Sequence, residues 1–312
     1  MIEIKDLVKV YGDKKAVNGI SFTVEDGEVL GFLGPNGAGK STTMNILTGY
    51  LSSTSGSVRV NGFDILENPE EAKKCIGYLP ELPPLYMDMT VLEYLNFICD
   101  LKKVPKVERK VQLAKILTMV KITDVAERLI GNLSKGYKQR VGIAQALVGN
   151  PSILILDEPT VGLDPNQIQE IRKLVKGLAK HHTVIISSHI LSEIQAMCDR
   201  VVIINHGRVA AIDTITDLSK KLSGKSKLLL SFKGPLKEVV NSVRTIPGII
   251  DAKPRMSDDS GIHELEIMLD PTLGSDLRAN IFYTMAKGGW PILEFRSLDP
   301  TLEEVFLSIT SH

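Results

Sequence analysis

The segment Gly34-Pro35-Asn36-Gly37-Ala38-Gly39-Lys40-Ser41-Thr42 has the spacing GxxxxGK[ST]. Residues of these types suit one task, the holding of a polyphosphate. Glycines let backbone N–H groups turn inward around phosphate oxygens. A helix opening at the same point aims the positive end of its dipole at them. Lys40 is placed to reach the β- and γ-phosphates, and the Ser41 hydroxyl to ligate Mg²⁺. A second element points the same way. Residues 152–156 form an apolar run that ends in Asp157-Glu158. An acid at the end of a buried strand beside such a loop holds Mg²⁺, often through water. The next acid, Glu158, is suited to orient or deprotonate an attacking water. Read alone, the pair is better taken as a solvated strand end. Read with the loop, it predicts binding and hydrolysis of Mg-ATP.

These groups need a frame. The loop follows the short apolar run EVLGFL, which suits a buried central strand, and precedes KSTTMNILTGY, a helix ended by Gly49. Upstream, Ile2, Ile4, Leu7 and Val10 open a strand, and Ile20, Phe22 and Val24 alternate with polar residues in another. A short strand is expected at residues 57–61, after the turn-rich SSTSG. Asn68-Pro69 reads as an N-cap with proline at the first helical position. From about 90 to 150 the pattern is mostly helical. One face carries Leu92, Leu95 and Ile98, and another Val111, Ala114, Ile116, Leu117 and Val120. Strands and helices then alternate again: SILILD, a helix with Ile168, Ile171, Leu174, Val175 and Leu178 on one face, HTVIISS, and the hairpin VVIINHGRVAAI turning at Asn205-His206-Gly207. Such alternation implies a mostly parallel sheet covered on both faces. His181 and His182 are expected at a solvated helix end.

Composition narrows the class. A chain of 312 residues suggests two domains. The 37 basic and 37 acidic residues balance, which argues against a general nucleic-acid binder. The start MIEIKDLVKVYG reads as a strand and not as a signal peptide, and no apolar run approaches the ~18 residues that span a bilayer. Any membrane role is then peripheral. Cys75, Cys99 and Cys198 fit no zinc or redox spacing and read as structural thiols in a reducing cytoplasm.

The stretch NLSKGYKQRVGIAQALVGNPSILILDEPTVGLDP goes beyond a generic phosphate-loop ATPase. It resembles the nucleotide-binding subunits of ABC (ATP-binding cassette) ATPases, over roughly residues 1–215. The resemblance implies a P-loop ABC ATPase core of α/β class, with an antiparallel β subdomain and a helical subdomain. It also implies a head-to-tail dimer, of two copies or of this chain and a related ATPase subunit, with two ATP molecules between subunits. Leu133-Ser134-Lys135-Gly136-Tyr137 stands where the family has LSGGQ; Ser134 and Gly136 match, Lys135 and Tyr137 depart. The matched pair is expected to contact the γ-phosphate held by the partner. Ser134 is also readable as a plain helix N-cap.

Other positions carry over singly. Tyr11 resembles the aromatic that stacks on adenine, though a strand tyrosine also serves packing. Asp164, in GLDP, matches the loop that communicates across the dimer, or is the N-cap before Pro165. His189, in SSH, resembles the switch histidine that contacts the γ-phosphate. Where the family has a glutamine that touches Mg²⁺, this chain has Glu81, which keeps an oxygen ligand but adds charge and loses the amide donor. The ending SLDPTLEEVFLSIT resembles ATPase subunits of ABC-2 type export systems. A separate integral membrane permease is then the expected partner, with this chain peripheral on the cytoplasmic face. The competing reading is a soluble ABC ATPase acting on ribosomes or DNA; the coiled coils, zinc sites or basic arms such proteins carry are not visible, and no nucleic-acid partner is expected.

The expected boundary divides residues 1–218 from 219–312, with a Lys-, Ser- and Gly-rich linker near 219–226. The last ~90 residues read as strand, helix, two strands, helix, strand, the βαββαβ order of a ferredoxin-like α+β unit. A terminal amphipathic helix is expected at TLEEVFLSI. This domain is read as a dimer contact or a regulatory module.

Overall fold

The computed structural model describes residues 1–215, 217–218, 227–257, 261–270, 277–298 and 306. The chain divides into two compact units, one over Met1–Ile215 and one within Thr216–Ser308. The linker expected at 219–226 and, apart from Phe306, the terminal helix expected at 301–309 lie outside the described residues.

The first unit is built on a six-stranded sheet. Its strands are β3 (Val29–Leu33), β6 (Ile76–Leu79), β7 (Ile153–Asp157), β8 (Thr183–Ser188), β9 (Arg200–Asn205) and β10 (Arg208–Thr214), in the order β10-β9-β3-β8-β7-β6. All pairings are parallel except the β9–β10 hairpin. Every residue of β3, β7 and β8 is buried, as continuous apolar runs require of strands covered on both faces. His206 and Gly207, both at positive φ, make the hairpin's two-residue turn.

A second, antiparallel sheet joins β1 (Ile2–Tyr11), β2 (Lys14–Val24), β4 (Ser55–Val60) and β5 (Phe63–Asp64) in the order β2-β1-β4-β5. In β1 the buried parity changes from Ile2 and Ile4 to Leu7. A register shift accounts for it, with Asp6 at φ 48° between the two halves. The inner residues Ile4, Leu7, Phe22 and Val60 join Phe32, Ile155, Ile185 and Val202 of the central sheet in one core. Helix α1 (Lys40–Leu47) adds Met44, Ile46 and Leu47 to it. Burial of each such side chain contributes about 1.5–3 kcal/mol.

The remaining helices of this unit are α2 (Pro69–Lys74), α3 (Val91–Leu101), α4 (Lys106–Met119), α5 (Lys135–Leu147), α6 (Pro165–Leu178) and α7 (Leu191–Met197). Helix α3 begins in a complete capping box between Thr90 and Glu93. Helix α5 is pressed against β6, where a Cβ on Gly77 would fall 2.2 Å from the Ala146 carbonyl oxygen.

Three sequence expectations need correction. In α3 the buried face is Val91, Tyr94, Leu95 and Cys99, with Leu92 and Ile98 only partly covered. In α4 Leu113, Ile116 and Leu117 are buried, while Val111 and Ala114 are exposed. Apolar spacing allows several stripes, and the neighbouring helices choose one. Asn68 is the N-cap of α2 and Pro69 its first residue, as expected, although the Asn68 side chain makes no capping bond. His182 is buried, because the chain re-enters the sheet directly after α6 and Nδ1 of the ring bonds the Pro151 carbonyl at 2.7 Å.

The second unit carries β11 (Lys227–Lys233), α8 (Leu236–Arg244), β12 (Ile249–Ser257), β13 (Ile262–Leu269), α9 (Arg278–Lys287) and β14 (Ile292–Ser297). The sheet order is β12-β13-β11-β14, all antiparallel, which is the ferredoxin-like arrangement. Leu228, Leu230 and Phe232 alternate along β11 and pack with Val239, Val243, Ile281 and Met285 of the helices. Among the described residues no helix is long and apolar enough to cross a membrane.

Candidate active site

The glycine-rich loop joins central strand β3 to α1. Its shape demands glycine at two points. Gly39 has φ 104°, and a Cβ there would lie 2.4 Å from the Ala16 carbonyl oxygen; on Gly34 it would lie 2.5 Å from the Ile204 carbonyl oxygen. The loop is tied to the hairpin by the Gly207 N–H, which donates to Ala38 O at 2.9 Å. The first N–H groups of α1 have no partners within their own helix, so they are donors suited to an anion.

Lys40 is 7% exposed. Its ammonium donates to Gly34 O at 2.8 Å and stands 4.0 Å from the Glu158 carboxylate. Burial lowers its pKa, against the opposing pull of Glu158, Asp157 and Glu81. A cleft of about 340 Å³ opens beside it, lined by Asn36, Gly37, Gly39, Lys40, Ser41, Thr42, Glu81, Glu158 and His189, together with Lys14 and Val161.

The two acids at the end of β7 face different surroundings. Asp157 is buried and accepts from the Ser187 hydroxyl of β8, its register partner. Burial raises its pKa, the Ser187 bond opposes this, and Glu81 adds to it. Glu158 turns out of the strand at φ 48°, a left-handed conformation costing a non-glycine residue on the order of 1–3 kcal/mol. Its N–H holds the turn by donating to Ser187, 3.2 Å from the carbonyl oxygen and 3.0 Å from Oγ. The turn points the Glu158 carboxylate at His189, whose Nδ1 lies 2.9 Å away. Burial raises the Glu158 pKa, and the bond and charge of His189 oppose the rise.

The structure therefore gathers the loop, Glu81, Glu158 and His189 on one cleft, with Asp157 behind them. Tyr11, Ser134, Gly136 and Asp164 do not line it. Tyr11 is 47% exposed, with the Lys9 ammonium 5.3 Å from its ring centre. Ser134 caps α5 by accepting from Tyr137 N, and Asp164 caps α6 by accepting from Gln167 N at 2.9 Å. The Gln167 side chain packs on Gly136, and Lys135 lies across Gly162. These residues make a second cluster in the same chain. Sequence reasoning missed Lys14, which lines the cleft, and Ser187, which holds Asp157. Ser187 stands two residues before His189, but its partnership with Asp157 arises only from strand pairing.

The donor set in the cleft fits Mg²⁺. The Ser41 hydroxyl and the Glu81 carboxylate line the cleft with the Asp157 carboxylate behind them; all are hard oxygen donors, and Mg²⁺ in such sites takes one or two carboxylates with substrate phosphates. The three cysteines are free, and burial pushes the Cys99 and Cys198 thiols up, which suits inert packing groups.

Comparison with known proteins agrees with this geometry. The family model described as ABC transporter matches residues 17–161. The chain is 34% identical over 313 residues to the linearmycin resistance ATP-binding protein LnrL of Bacillus subtilis, covering 99% of this chain and 98% of that one. It is 41% identical over 211 residues to the bacitracin transport ATP-binding protein BcrA of Bacillus licheniformis, covering 67% of this chain and 68% of the relative. Among solved structures, an ATP-binding subunit of an ABC transporter matches with TM-score 0.65 and 31% identity, over 71% of this chain and 93% of that chain. The dimeric bacterial ABC transporter cassette MJ0796 matches with TM-score 0.62 and 28% identity, over 69% and 98%.

Proposed function

We propose a working cycle from the premise that this chain belongs to the ATP-binding proteins of ABC transporters. It is an ATP-binding and ATP-hydrolysing subunit of that family. The cycle rests on one observation above all: the Glu158 carboxylate is held over the phosphate loop between Lys40 and His189.

ATP binds with its phosphates against residues 34–42, and Lys40 turns from the Gly34 carbonyl to the β- and γ-phosphates. Ser41, Asp157 and Glu81 would hold Mg²⁺, which when bound would neutralise phosphate charge. Glu158 orients and deprotonates the attacking water, while Asp157, bonded to Ser187, would serve the metal. His189 contacts the γ-phosphate. With Nδ1–H given to Glu158, its Nε2 donates only when the ring carries both protons. Tyr11, exposed and outside the cleft lining, is the residue proposed to stack on adenine.

Ser134 and Gly136 of a second copy, or of a related ATPase subunit, complete the site head to tail, and Asp164 signals between the two sites. The dimeric cassette to which this chain is similar supports the pairing of two subunits. Turnover per subunit is expected to rise with protein concentration through the dimerisation range. Total activity strictly linear in concentration across that range would sink the shared site.

One relative is named for linearmycin resistance and another for bacitracin transport, so we infer service to an export permease. The chain then sits peripherally on the cytoplasmic face of the membrane. Extraction in mild detergent is expected to bring an integral membrane protein with the tagged chain at near-equal amount; ribosomes or DNA in its place would overturn this. Residues 219–312 are read as a dimer contact or regulatory module, a unit within the span shared with LnrL.

A further inference from the structure

A buried carboxylate stands just outside the cleft. Glu193, in the first turn of α7, is 2% exposed. One of its oxygens, Oε2, accepts from two hydroxyls: Thr160 Oγ1 at 2.5 Å and Ser188 Oγ at 3.1 Å. Both donors are themselves buried. The Ser188 hydroxyl also accepts from Ile190 N at 3.0 Å. Thr160 follows Glu158 by two residues, and Ser188 directly precedes His189.

We infer that Glu193 is a positioning residue for ATP hydrolysis. It fastens the turn that carries Glu158 to the strand end that carries His189, and so sets the distance between these two side chains. The inference rests on the proposed roles of Glu158 and His189.

Two physical points carry it. The packing of α7 is already supplied by Leu191, Ile194 and Met197, all buried. A carboxylate among them costs desolvation that an apolar residue would avoid, so its two hydroxyl bonds need a purpose beyond packing. The clamped turn, moreover, is the one that holds Glu158 in a sparsely populated conformation. Val161 N donates to Glu158 O and Leu163 N to Thr160 O, so Thr160 lies inside a tight run of turns. A turn of this kind persists only where its surroundings over-determine it. Releasing Thr160 lets the turn relax and Glu158 drift from His189.

The test uses the purified full-length chain with Mg-ATP. Glu193→Ala and Thr160→Val are each expected to lower kcat by roughly 10–100-fold, as displacement of a reacting group by about 1 Å would do. KM and the affinity for a non-hydrolysable ATP analogue should stay within about three-fold, since the phosphate loop is untouched. The double variant should be no slower than the slower single variant, because both break one link. Thr160→Ser keeps the hydroxyl and should return kcat to near the parent value. Parent-like kcat in folded Thr160→Val or Glu193→Ala, multiplying effects in the double variant, or a rise in KM at constant kcat would each overturn the inference. If Glu193→Ala fails to fold, Thr160→Val against Thr160→Ser decides the matter alone. Normal turnover by Glu158→Gln would remove the catalytic reading and this inference with it. A dead Glu158→Gln beside a fully active Glu193→Ala overturns only the positioning role.

Discussion

Glu158→Gln is expected to slow ATP turnover by about 100-fold or more, within the 10²–10⁴ range typical of a lost general base, while Mg-ATP still binds. The substitution keeps the shape of the side chain, and the amide oxygen can still accept from His189 Nδ1, now 2.9 Å from the carboxylate. The left-handed turn at residue 158 is held by its N–H, which donates to Ser187 O and Oγ, and by the Thr160–Glu193 bond, none of which involves the Glu158 side chain. Geometry therefore survives. What is lost is a group that can take a proton from water and a negative charge 4.0 Å from Lys40. Losing that charge leaves the Lys40 ammonium freer to meet phosphate, so affinity should hold or increase. The measurements are steady-state turnover and equilibrium binding of ATP on the same preparation. Unchanged turnover would remove Glu158 from the role of base.

Lys40→Ala should show the opposite pattern, with loss in both binding and turnover. Lys40 is the buried cation of the cleft, set at the first position of α1 with its ammonium against Gly34 O. Alanine is a good helix former, so α1 should persist. The phosphates would then meet backbone N–H groups and the helix end without a compact positive charge, beside two carboxylates. A hydrogen bond to a charged group contributes about 1.5–3 kcal/mol, which corresponds to roughly a 10–150-fold loss of affinity. Removing a donor that stabilises developing charge costs about a further 10²–10³ in turnover. ATP affinity is read by titration and kcat at saturating nucleotide. Parent-like kcat at saturation would show that Lys40 only binds ATP and takes no part in the reaction. The two variants separate the roles: one should bind and not turn over, the other should do neither well.

The parts of the site legible in the sequence are those that act through contiguous backbone. Residues 34–42 carry their own turn, their own donors and the start of their own helix, so the pattern and the object coincide. Ser134 and Asp164 were legible as helix caps for the same reason, because a cap reaches only three residues ahead. The βαββαβ order of the second unit was also readable, since short apolar runs such as KLLLSF, buried from Leu228 to Phe232, alternate with amphipathic helical segments.

Contacts between distant segments were not legible. The faces of α3 and α4 were misread because apolar residues fall on more than one side of each helix, and the packing of neighbours selects Leu113 over Val111. His182 looked solvated because its sequence neighbours are polar, yet the carbonyl of Pro151, 31 residues away, receives its ring. Ser187 and Glu193 have no local signature at all. Their partners, Asp157 and Thr160, lie 30 and 33 residues away and meet them only once β7 and β8 pair. By itself the sequence determined that this chain holds a nucleotide, because that task needs one short loop of given residue types. Only the tertiary structure decided how Glu158 is aimed and held. Its direction depends on strand register and on a buried carboxylate from a later helix, and side-chain bonds across such distances leave no periodic trace in the chain.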